Sequence, residues 1–111
     1  MDAARALPLA SDWVTLGPLS AIPEGEGRTF MVAGLRLAVF RDRDGAVFAT
    51  QADCPHKNGP LADGLLGAGM LICPLHSLKF DLVTGQAQNS DCTLKLYPVR
   101  LSSSGQILVE L

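Results

Sequence analysis

The chain has 111 residues, of which 48% are hydrophobic and 18% charged, and a formal net charge of −2. That length supports one domain with a core of its own and no need of disulfides. No Lys/Arg cluster is available to neutralise phosphates, and no apolar run approaches the roughly 18 residues of a membrane span, which argues against nucleic acid and membrane as partners.

Residues 1–11 carry Arg5 and small side chains without an apolar signal core. They read as a flexible leader, with the domain at 12–111. The elements that follow predict an all-β chain. Trp13-Val14-Thr15-Leu16 is the first strand candidate. Arg28–Val32 and Leu35–Phe40 come next, joined at the tight-turn site Ala33-Gly34. In the second of these, Leu35, Leu37 and Val39 point one way and Arg36, Ala38 and Phe40 the other. Asp44-Gly45 predicts a two-residue hairpin, since both residue types tolerate positive φ, and Ala46–Thr50 is the returning strand.

From Cys54 to about Gly85 the character changes. Glycines and prolines are frequent, and only Met70–Ile72 and Leu78–Leu82 fit as short strands, with a turn at Val83–Gln86. A helical turn fits near Leu61–Leu65. This stretch reads as a small subdomain, 54–85, inserted into a barrel- or sandwich-like base. Leu96–Leu101 and Gln106–Glu110 flank Ser103-Ser104-Gly105 as a final hairpin. Pro98 cannot donate to a ladder and predicts an edge or a bulge there.

The inserted stretch holds the chemistry. Cys54-Pro55-His56 is followed, after sixteen residues, by Cys73-Pro74-Leu75-His76. The chain has two histidines and three cysteines, and both histidines lie within three residues of a cysteine. A [2Fe–2S] centre with unequally ligated irons needs two thiolates on one iron and two imidazoles on the other. On this reading Cys54, His56, Cys73 and His76 are the metal and cluster ligands. Pro55 and Pro74 stiffen the two loops, which would face one another as hairpin tips. The same donors suit tetrahedral Zn²⁺ in a zinc-stabilised interaction module. Common zinc patterns run as CxxC pairs followed by histidines, and the interleaved order here is less usual for them.

Other features are bland. Cys92 stands alone and reads as a small, partly buried side chain. The odd cysteine count, with two of the three in the motif, fits a reducing cytoplasm better than a secreted scaffold. Gly64–Gly69 has GxxGxG spacing, wrong for a dinucleotide loop, and reads as a glycine-rich turn between the ligand loops. Ser102-Ser103-Ser104 has no spare histidine to activate a nucleophile, so no catalytic residue is expected. Lys57 and Lys79 read as solvated charges, or as part of a docking face.

The CPH-x16-CPLH pattern resembles a Rieske [2Fe–2S] domain, and the likeness runs from about Trp13 to Leu111. Its wording is most similar to the small subunit of assimilatory NAD(P)H nitrite reductase. The stretches that carry the likeness are Leu37–Arg41, Cys54-Pro55-His56-Lys57 through Gly59-Pro60-Leu61, Cys73–His76, Lys79–Leu82, Thr84-Gly85 and Tyr97–Arg100. The resemblance implies a Rieske-type fold, one [2Fe–2S] cluster and a large-subunit partner. That partner holds flavin, siroheme and an iron–sulfur cluster and reduces nitrite to ammonia. The chain would be an oxidoreductase subunit without a complete active site. A Rieske ferredoxin serving an aromatic-ring-hydroxylating dioxygenase is the alternative.

High-potential Rieske proteins resemble one another in placing Ser two residues, and Tyr four residues, after the second ligand histidine. Their hydroxyls stabilise the reduced cluster. Here Leu78 and Phe80 stand at those positions, and the paired cysteines that staple those proteins' loops are absent. The resemblance therefore implies a potential near the low end of the Rieske range, about −150 mV.

Overall fold

The computed structural model describes residues 13–55, 59–74, 78–88 and 90–111. The leader expected at 1–11 lies outside them. Ten strands are present among the described residues: β1 (Trp13–Pro18), β2 (Glu26–Val32), β3 (Leu35–Arg41), β4 (Val47–Gln51), β5 (Leu65–Gly67), β6 (Met70–Ile72), β7 (Lys79–Asp81), β8 (Leu96–Tyr97), β9 (Val99–Leu101) and β10 (Gln106–Glu110). The only helical pieces described are two single 3-10 turns, Leu19–Ala21 and Leu61–Asp63. The all-β expectation holds.

The strands form three antiparallel sheets in the orders β1-β10-β9, β2-β3-β4-β8 and β5-β6-β7. The four-stranded sheet is the middle layer, and β3 shows why. Leu37 and Val39 join Ile107 and Val109 of β10 in one core, with Val14, Leu16 and Val99 packed against it. Ala38 and Phe40 enter a second core with Leu61, Leu71, Phe80 and Leu94. The alternation expected for this strand is present, but from Leu37 to Phe40 neither face meets water. Leu37 through Phe40 form an unbroken buried run because other layers cover the sheet on both sides.

Several local expectations change. Leu96–Leu101 is two strands rather than one. Pro98 has no N–H to donate, and the chain uses that break to leave β4 and join β10. Both pieces are edge strands, as Pro98 required. Asp44-Gly45 is not a two-residue turn. Gly45 N–H donates to Asp42 C=O and Asp42 N–H to Ala46 C=O, so the loop has three residues and only its glycine takes positive φ. The Ser102–Gln106 hairpin repeats that pattern, with Ser102 Oγ accepting the Gln106 N–H at 3.0 Å. Its serines serve the turn.

The two-residue turns lie at Ala33-Gly34 and Ala68-Gly69, where both residues have positive φ. The second of these corrects the reading of Gly64–Gly69 as one loop. Its middle is β5, and Ala68-Gly69 returns the chain into β6. The helical turn near Leu61 is the 3-10 piece Leu61–Asp63, which packs beside β2.

The small sheet does not end with β7. Bridges Phe80↔Ala87 and Gln86↔Thr93 continue it. Gly85 makes the turn that allows this, with φ +82; a Cβ there would run into the Leu94 carbonyl oxygen.

Candidate metal centre

Each cysteine of the motif opens a loop of the same construction. Cys54 N–H donates to Gly59 C=O, and Cys73 N–H donates to Leu78 C=O, both at 2.8 Å. Both loops therefore close from residue i to i+5. Below these bonds lie equivalent antiparallel rungs, Asp53↔Pro60 and Ile72↔Lys79. Pro55 and Pro74 occupy the same second position, where the absent N–H leaves no donor unsatisfied. The repetition was visible in the sequence as two Cys-Pro pairs; the common closing bond was not.

Both thiols point inward. Cys54 is 1% exposed and Cys73 is 2% exposed, and they share one apolar cluster with Leu61, Leu71, Leu78 and Phe80. No disulfide joins the cysteines. His56 and His76, as well as Lys57, lie outside the described residues. Among the described residues no group of three or more His, Cys, Asp or Glu gathers to hold a metal.

Cys92 is half-buried and packs against the same apolar cluster from a turn in which its N–H donates to Ser90 Oγ at 3.2 Å. Its placement agrees with a small, partly buried side chain. Lys79 is exposed on β7. Leu78 is 6% exposed and Phe80 is fully buried, so the two positions singled out for their missing hydroxyls line the same cluster as the cysteines.

Sequence reading missed the supports of the first loop. Arg36 Nη1 donates to Asp53 Oδ2 at 2.6 Å, directly before Cys54. Gln51 Nε2 donates to the Asp53 carbonyl at 2.7 Å, while Gln51 Oε1 accepts the Lys95 N–H at 2.9 Å. Arg36 C=O also accepts the Ala52 N–H at 3.2 Å. The charge next to Cys54 was a signal in the sequence, but its partner lies seventeen residues away on β3.

The family model of the Rieske [2Fe-2S] domain matches residues 12–100. The chain belongs to that family. It is 31% identical over 105 residues to the ferredoxin component of a naphthalene 1,2-dioxygenase system from Pseudomonas aeruginosa, covering 93% of this chain and 99% of that one. Its fold matches a protein described as the NADH-dependent nitrite reductase small subunit of Mycobacterium tuberculosis. There the TM-score is 0.85 and the identity 24%, over 92% of this chain and 96% of the other. A second structure, described as an NADPH nitrite reductase small subunit, matches with a TM-score of 0.79 and 27% identity over 88% and 97% of the two chains.

The Rieske protein carries one [2Fe–2S] cluster, and the donor set fits it. Two buried thiols sit at the head of matched loops, and the chain's only two histidines belong to the same loops. Such a cluster accepts and releases one electron, with mixed ligation raising its potential above that of an all-Cys cluster. With Cys54 and Cys73 as ligands, the apolar side chains packed around them would bury the thiolate side and keep water from it. Among the described residues no helix is long and apolar enough to cross a membrane.

Proposed function

We propose that this Rieske electron-transfer protein is the small subunit of a cytoplasmic, assimilatory NAD(P)H nitrite reductase. In this reading Cys54 and Cys73 bind one iron, His56 and His76 bind the other, and residues 54–85 form the cluster-binding subdomain. The observation that carries the electron-transfer role is the pair of matched cysteine loops above one apolar cluster. The nitrite reductase assignment rests on the wording around them: Cys54-Pro55-His56-Lys57 with Gly59-Pro60-Leu61, and Lys79-Phe80-Asp81-Leu82 with Thr84-Gly85. The 27% identity to a structure described as such a subunit supports it. The partner is then a large subunit holding flavin, siroheme and an iron–sulfur cluster. Leu78 and Phe80 supply no hydroxyl to a cluster sulfur, which suits a carrier filled by reduced flavin.

A second reading is favoured by the 31% identity, over nearly full length, to a dioxygenase ferredoxin component. Purification of the native complex separates the two. Co-purification with a siroheme-containing subunit, and nitrite reduction with NAD(P)H that depends on this chain, is the expected result. Co-purification with an oxygenase, and electron delivery to it, would replace the first reading with the second.

A further inference from the structure

The second cysteine loop rises from the middle of a sheet. Ile72, just before Cys73, pairs with Leu65 of β5 on one side and Lys79 of β7 on the other. The first loop is framed by fewer rungs: its backbone is tied to β3 by the Ala52 N–H to Arg36 C=O bond, one residue below Asp53, and no strand pairs with Asp53 itself on that side. Asp53, just before Cys54, makes one isolated bridge to Pro60. Side chains take over where the ladder stops. Arg36 reaches from β3 to the Asp53 carboxylate, and Gln51 joins the Asp53 carbonyl to the Lys95 N–H.

We infer that Arg36 and Gln51 are positioning residues of the redox centre, a side-chain clamp on Asp53 that holds the first cysteine loop against the second. Two physical points carry this. A loop whose backbone bonds to the main sheet end at Ala52 can tilt about that point unless other contacts restrain it, and a tilt at Asp53 is passed on through the next peptide to Cys54. The clamp acts on both groups of Asp53, carboxylate and carbonyl, and so fixes the orientation of that residue as well as its position. Arg36 also sets its positive charge against the Asp53 carboxylate. Without it, a negative charge beside Cys54 stands uncompensated and disfavours the added electron. The side chains are about half and a third exposed (48% and 38%), so the pair is screened and its effect modest.

The proposal rests on Cys54 being a ligand, and the test separates the two. Holoprotein variants Arg36→Met, Gln51→Leu and the exchanged pair Arg36→Asp with Asp53→Arg are compared with Arg28→Met. The last removes an ion pair of similar exposure, to Glu26 at 3.1 Å, elsewhere on the surface. Cluster loss to an iron chelator is followed by visible absorbance, with redox titration and thermal unfolding alongside. Arg36→Met is expected to lose cluster about threefold faster, as befits an exposed pair, and Gln51→Leu about tenfold faster for two lost hydrogen bonds. Arg36→Met should also lower the midpoint potential, the exchanged pair should restore the loss rate, and Arg28→Met should match the wild type.

Loss rates and potentials unchanged in both clamp variants would overturn the clamp. So would a faster loss that only tracks a lower unfolding temperature and is not rescued by the exchanged pair. Retention of a mixed-ligand cluster by Cys54→Ser would instead overturn the ligand assignment, and the clamp with it.

Discussion

The two cysteine loops have equal length, the same Cys-Pro opening and the same closing bond, yet their roots are built differently. The second stands on a three-stranded ladder whose backbone bonds any sequence of strand-forming residues can make. The first stands on one bridge, on the Ala52 N–H to Arg36 C=O bond below it, and on particular side chains, Arg36, Gln51 and Asp53. The comparison teaches where substitution is tolerated. The second root is sensitive to backbone geometry and tolerant of side-chain identity; the first is the reverse. Both share the apolar cluster beneath, and that burial outweighs the clamp. Emptying a buried Phe site costs about 3–5 kcal/mol, whereas an exposed ion pair is worth about 0–1 kcal/mol.

The largest effect tests whether the loops are equivalent partners in one centre. His56→Ala or His76→Ala should each abolish the Rieske-type absorption and lower iron and sulfide content, because on the proposed ligand set each removes a ligand that nothing else supplies. If one loop's histidine proves dispensable, the loops are not equivalent and the ligand set is different.

Next comes the backbone of the second root. A Cβ at Gly64 would strike the Ile72 carbonyl oxygen, at the rung just below Cys73. Gly64→Ala should destabilise the fold by about 2–3 kcal/mol, a typical cost for strain or overpacking in a core. Urea unfolding measures it. A neutral result would mean that this root yields as easily as the first.

A third measurement addresses the cluster floor that the loops share. The midpoint potential should lie near the low end of the Rieske range, about −150 mV, and Phe80→Tyr should raise it if the new hydroxyl reaches a sulfur. A wild-type value above about +100 mV, well up that range, would refute the argument from Leu78 and Phe80 and the reductive role built on it.

Ala68 offers a smaller change at the β5–β6 turn, on the ladder side. It holds φ 52, which costs an alanine energy that asparagine largely escapes. Ala68→Asn should stabilise by about 0.5–1 kcal/mol in the same urea assay, without altering the spectrum. The smallest effect belongs to Cys92, which packs on the cluster without belonging to either loop. Cys92→Ser should keep full iron and sulfide content, and loss of either would draw a third segment into the centre.

Much of this was legible in the chain itself. The alternation of Leu35–Phe40 assigned each residue to its face, because side chains of a strand alternate whatever covers them. Gly34 marked the turn at Ala33-Gly34 because glycine takes positive φ at no steric cost. The Rieske family was legible because scarce residue types fell together in two Cys-Pro segments. Pro98 announced an edge because it lacks an N–H.

What the sequence left open depends on distance through space. It did not say that both faces of β3 are buried, since an apolar run of that length is equally consistent with one covered face. It hid β5 inside a glycine-rich stretch, because three residues carry too little periodicity to identify a strand. It did not reveal that Pro98 moves the chain between sheets, which depends on what lies on each side. The pairing of Arg36 with Asp53 was beyond it as well: local propensity acts over a few residues, and only the packed sheets bring β3 to the root of the first cysteine loop.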